Sequence, residues 1–150
     1  MKSNAGFLNS QNTHLGNRIF EKMLKDSGID AFSGAQGRIM YVLWENGTLS
    51  VSQVCKLTSL ANSTMTVMLD QMEVRGLINR TRNERNRKQI LVSLTDTARL
   101  YKKEYDYISE KMNNLTYKGF SQEELMMYEN MIIRIKKNLE DYIENGENND

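Results

Sequence analysis

Residues 50–95 read SVSQVCKLTSLANSTMTVMLDQMEVRGLINRTRNERNRKQILVSLT, and the interpretation of the remaining chain follows from them. Ser50-Val51-Ser52-Gln53 is a Ser-x-x-Gln capping box, which pairs two backbone N–H groups that a helix start leaves orphaned. The helix it opens ends near Thr58, and the chain turns through Ser59, Leu60 and Ala61. Met65, Met68, Leu69 and Met72 then recur at helical spacing and make one apolar stripe. The opposite face carries Asn62, Ser63, Thr64, Thr66 and Asp70, mostly short polar side chains. Gly76, after Arg75, is placed to stop this helix in the left-handed conformation. Leu77-Ile78-Asn79-Arg80 reads as a strand and Ile90-Leu91-Val92-Ser93-Leu94 as its partner, with Ile90, Val92 and Leu94 on one face. A cationic loop, Thr81 to Gln89, lies between them, and Arg80, Arg82, Arg85, Arg87 and Lys88 are opposed there only by Glu84. The order is helix, turn, helix and a two-stranded wing, a winged helix-turn-helix spanning residues 33–95.

Double-stranded DNA is the partner this chemistry suits. Short polar groups at the start of a helix can reach base edges in the major groove, so Asn62, Ser63, Thr64 and Thr66 are the candidate base and phosphate contacts. Arg82, Arg85, Arg87 and Lys88 are candidates for phosphates and the electronegative minor groove, with Asn86 helping to order the wing. Net charge is only +1, so affinity for nucleic acid has to come from this clustering and not from overall basicity.

The run from Leu49-Ser50-Val51-Ser52-Gln53-Val54 through Ser63-Thr64-Met65-Thr66 and Leu69-Asp70-Gln71-Met72-Glu73-Val74-Arg75-Gly76-Leu77-Ile78-Asn79-Arg80 to Val92-Ser93-Leu94-Thr95 resembles the multiple antibiotic resistance regulator (MarR) family of bacterial repressors. The sequence departs from that pattern in three places. Asn86-Arg87-Lys88 replaces the usual Asp-x-Arg of the wing, Ala61 stands where Ser or Asn often caps the reading helix, and Val67 stands where Arg is frequent. The resemblance implies a homodimeric repressor bound to a pseudo-palindromic operator and released by a small aromatic or phenolic effector. It places the effector between the dimer helices and the winged head, where His14, Arg18, Tyr41, Trp44 and Tyr101 could supply stacking and an anion partner.

The flanks fit a single domain over residues 1–150 that is mainly α-helical. Phe7 to Lys25 reads as a long helix with Leu8, Leu15, Ile19, Phe20, Met23 and Leu24 on one stripe, broken at Ser27-Gly28-Ile29-Asp30. Ser33-Gly34-Ala35-Gln36 is a second capping box, opening a helix that buries Ile39, Met40, Leu43 and Trp44. Beyond the wing, Thr95-Asp96 starts one long helix that carries Tyr101, Tyr105, Ile108, Met112 and Leu115. Ser121-Gln122-Glu123-Glu124 starts another, in which Leu125, Tyr128, Ile132, Ile135, Leu139 and Tyr142 alternate at three and four, a seam for another helix. The two seams could bury against each other as an antiparallel pair. Together with the first helix, however, they offer more apolar stripe than a small winged head covers. Residues 7–26 and 96–144 are therefore expected to be dimerisation helices, followed by a polar tail from Glu144 to Asp150.

Composition narrows the alternatives. The single cysteine, Cys55, excludes an intramolecular disulfide, and with one histidine it leaves no metal-ligand set. No Gly-rich phosphate loop or Ser-His-Asp set points to an enzyme or to a cofactor. No secretory signal and no apolar run near the roughly 18 residues of a membrane span are present, so a cytoplasmic protein is expected. Two other functions remain open: a winged-helix protein-interaction module without specific DNA binding, and a regulator that senses oxidants through Cys55.

Overall fold

The computed structural model describes residues 2–146, which divide into two compact units, one up to Met112 and one from Asn113 onward. The first contains α1 (Ala5–Asp26), α2 (Gly34–Asn46), β1 (Leu49–Ser50), α3 (Val51–Thr58), α4 (Asn62–Val74), β2 (Ile78–Asn83), β3 (Asn86–Leu94), α5 (Asp96–Leu100) and most of α6 (Lys102–Thr116). The second holds the end of α6 and α7 (Gln122–Gly146). The expected polar tail is helical to Gly146, and its last four residues lie outside the described part.

Local signals set the element boundaries. Ser33 Oγ accepts from Gln36 N–H while Gln36 Oε1 accepts from Ser33 N–H, and Ser50 and Gln53 repeat the reciprocal pair at α3. Ser121 and Glu124 do the same at α7. At the end of α4, Gly76 takes φ 69° and hands Leu77 N–H back to the Met72 carbonyl at 2.9 Å.

The wing is larger than the sequence suggests. β2 and β3 pair antiparallel, and the two-residue β1 adds a third strand on the far side of β3 through Leu49↔Val92 and Ser50↔Leu91. The presumed cationic loop is mostly strand. Pairing persists to Asn83↔Asn86, so only Glu84 and Arg85 form the tip, and an irregularity after Arg82 absorbs the extra residues of β3. Expected as one long helix, the segment from Asp96 is divided at Tyr101. The Ala98 carbonyl accepts both Tyr101 N–H (3.3 Å) and the indole Nε1–H of Trp44 (3.3 Å), so the ordinary four-residue ladder is interrupted.

The core of the first unit joins Leu24, Ile39, Met40, Leu43, Val54, Met65, Leu69, Met72, Leu77, Ile78, Val92 and Ile108. An aromatic group sits beside it. Tyr105 packs edge-on to Phe20 at 5.6 Å and against Trp44 at 5.2 Å, while Phe32 meets Tyr101 at 5.5 Å. Gly37 makes this possible, because a Cβ there would lie 2.7 Å from Tyr105 Cε2 and 3.3 Å from Phe32 Cε2. Gly37→Ala gains up to about 1 kcal/mol of helix propensity. Overpacking a ring wedged among other rings costs about 1–3 kcal/mol. The expected net result is a lower Tm, read by thermal unfolding; an unchanged or raised Tm would show that the ring cluster yields freely.

In the second unit α7 carries no buried residue. Leu125 and Tyr128 of its apolar row are half-buried, whereas Ile132, Ile135, Leu139 and Tyr142 are exposed, Tyr142 by 80%. On α1, Phe7, Leu8 and Leu15 are exposed as well, and only Leu24 is buried.

Candidate nucleic-acid interface

α4 presents its stripes as the spacing requires. Met65, Leu69 and Met72 are buried, which turns Asn62, Ser63, Thr64 and Thr66 to solvent. Its N-cap is Ala61, whose side chain cannot accept a hydrogen bond, so the first amides of α4 remain open to an anion. Two of the expected contacts are already engaged in part. Thr66 Oγ1 donates to the Asn62 carbonyl (2.9 Å), and Asn62 Oδ1 accepts the thiol hydrogen of Cys55 (3.3 Å).

On the wing, Arg82, Arg85, Arg87 and Lys88 are exposed, and among the described residues none of them forms an ion pair. The tip is held by amide side chains. Asn86 Oδ1 accepts from Lys88 N–H (3.3 Å), Asn83 Oδ1 from Arg85 N–H (3.1 Å), and Asn83 Nδ2 donates to Gln89 Oε1 (2.7 Å). Asn83 therefore orders the tip with Asn86, a role that only the tight register reveals.

Arg80 does not belong to the free cations of the wing. Its Nη2 lies 2.6 Å from both Asp70 Oδ1 and Glu73 Oε2, and its backbone N–H donates to Glu73 Oε1 at 3.2 Å. The two α4 carboxylates are thus paired, not merely solvated. The hydrogen bond from Arg80 holds the Glu73 carboxyl below the usual glutamate range, and the same pair raises the Arg80 guanidinium. This clamp ties the wing to the reading helix and offsets one of the two negative charges there. On the other side of α4, buried Gln36 donates to Gln71 Oε1 (3.0 Å), while Arg75 Nη1 donates to the Ala31 carbonyl (3.2 Å). The orientation of α4 is therefore fixed from both sides.

A shallow groove runs beside this surface, lined by Val51, Ser52, Thr66, Lys88 and Ile90 among others. Of the residues suggested for an effector, Trp44 and Tyr101 share the aromatic group around Phe32. Tyr41 is about half exposed, and His14 and Arg18 lie on the open surface of α1. Trp44 also borders a cleft with Thr48, Ser93, Arg99 and Lys102.

A three-helix head with its second helix-turn-helix helix open to solvent and a cationic antiparallel wing beside it defines a winged helix-turn-helix protein. The chain belongs to the MarR family of transcriptional regulators, whose sequence model matches residues 32–90. It is 31% identical over 110 residues to the HTH-type transcriptional repressor MdtR of Bacillus subtilis, covering 73% of this chain and 70% of that one. It is 40% identical over 63 residues to the organic hydroperoxide resistance transcriptional regulator of the same organism, covering 42% of this chain but only 43% of the relative. Among solved structures, BpsR of Bordetella bronchiseptica, described for regulation of its DNA binding by 6-hydroxynicotinic acid, shares the fold with a TM-score of 0.79 at 21% identity, over 89% of this chain and 99% of that one. Among the described residues no helix is long and apolar enough to cross a membrane.

Proposed function

We propose that this chain is a homodimeric, DNA-binding repressor that engages a pseudo-palindromic operator and is released by a small aromatic or phenolic ligand. One observation carries the proposal: four exposed wing cations, without acidic partners among the described residues, stand beside a helix whose N-terminal amides are uncapped and whose two surface acids are paired with Arg80. That arrangement attracts a polyanion and offers it polar groups that distinguish bases. Asn62, Ser63, Thr64 and Thr66 are assigned to the major groove. Arg82, Arg85, Arg87 and Lys88 are assigned to phosphates and the minor groove, with Asn86 keeping the tip in shape.

The exposed apolar row of α7 and, separately, Phe7, Leu8 and Leu15 of α1 are the apolar surfaces assigned to a two-fold partner. Residues 7–26 and 96–144 are the assigned dimerisation segments and 33–95 the reading head. A dimer would set two α4 helices roughly one turn of DNA apart. The released state follows from a ligand that binds one dimer geometry more tightly than the other. BpsR, whose DNA binding responds to an aromatic acid, supports that step, and Trp44, Tyr101, Tyr41, His14 and Arg18 are its candidate contacts.

Titrating the protein against a labelled duplex from upstream of its own gene tests the proposal. Sub-micromolar binding that resists non-specific competitor is the expected result. Binding that disappears at moderate salt would favour a protein-interaction module instead.

Similarity to the organic hydroperoxide resistance regulator over 63 residues is what supports a role for oxidants through Cys55. Burial raises the Cys55 thiol above its ordinary range, and its hydrogen is donated to Asn62 Oδ1, so the reactive thiolate is scarce near neutral pH. Mild peroxide is therefore expected to leave both the mass of Cys55 and the affinity for the duplex unchanged. A sulfenate accompanied by lost binding would reverse that assignment.

A further inference from the structure

We propose that Val67 is a specificity-determining residue which contacts the C5-methyl group of thymine, and that the half-sites of this chain are built on A·T pairs. The inference rests on the DNA-reading function proposed above and names what is read. Asn62–Val74, the whole of α4, contains neither arginine nor lysine. Guanine offers the major groove two acceptors, O6 and N7, which are read best by a cationic fork. α4 has none to offer.

The row opposite its buried stripe is Ser63, Val67, Asp70 and Val74, at spacings of four, three and four. Asp70 is the one group there suited to the cytosine amino donor, and its carboxylate is occupied by Arg80 at 2.6 Å. Val74, 89% exposed, is roughly 16 Å along the axis from Ser63, beyond the N-terminal turns that approach base edges. That leaves the hydroxyl of Ser63 and the two methyl groups of Val67, which is 56% exposed one turn into the helix. An exposed valine means little by itself. Here it occupies the middle of a row with no cation, whose one acid is paired with Arg80, and of the four bases only thymine carries an apolar group in the major groove.

The test uses the full chain and a random duplex library. Selection is expected to enrich half-sites whose core pairs are A·T. Each thymine of an enriched site is then replaced by uracil, which keeps the pairing and deletes the methyl. One position per half-site should lose about fourfold in affinity, the worth of one buried methyl. In Val67→Ala the same replacement should make no difference, while other positions respond as before and the circular dichroism spectrum stays unchanged. Half-sites centred on G·C pairs, or a uracil penalty that persists undiminished in Val67→Ala, would overturn the inference and leave DNA binding standing. Failure to enrich any sequence would remove the DNA-reading function itself.

Discussion

Replacing Arg85 and Arg87 together by alanine is expected to weaken duplex binding and to flatten its dependence on salt. Both side chains are exposed near the tip between β2 and β3, where the register is held by Asn83, Asn86 and Gln89 and not by the arginines. Their loss should therefore leave the fold intact. Each phosphate contact given up releases one counterion fewer, which lowers the slope of log K against log salt by about 0.9. A dimer loses four cations, so the slope should fall by at most about 3.6. An unchanged slope in the double mutant would mean that the wing does not touch the phosphate backbone. Arg80 is excluded from this series, because its charge is spent on Asp70 and Glu73.

The second large effect is expected on α7. Ile135→Asp with Leu139→Asp places two carboxylates in the middle of the exposed apolar row. If that row is the seam between two copies, each buried charge costs several kcal/mol. A cost of about 3 kcal/mol already raises the dissociation constant roughly a hundredfold. Operator affinity should fall with it, because a lone head retains only one half-site. The helix itself should persist, since its Ser121–Glu124 cap is untouched and no residue of α7 belongs to the buried core. A double mutant that sediments like the wild-type chain would put the partner surface elsewhere.

Features encoded within a few residues are legible in the sequence. The capping boxes at Ser33, Ser50 and Ser121, the Met stripe of α4 and the Gly76 stop each depend on neighbours at most a few positions away, and each stands in the structure. What escaped depends on chain segments that meet from afar. β1 is two residues long and exists only because Leu49 and Ser50 find Val92 and Leu91. The split at Tyr101 needs Trp44 to reach Ala98 across 54 positions. Arg80 reads as one more wing cation because charge density in a linear sequence does not say which acids the hairpin brings alongside. Asp70 and Glu73 look like ordinary surface carboxylates until β2 folds back along α4. The candidate reading face is therefore well marked in the sequence, and the pairing of its acids with Arg80 is not.

Sedimentation velocity of the protein with a single operator-containing duplex tests the central claim most directly. Two copies of α4 and two wings on one symmetric body predict two chains per duplex, formed from a dimer that exists before DNA is added. A complex holding one chain, or a free protein that stays monomeric at the concentrations where it binds, would contradict it.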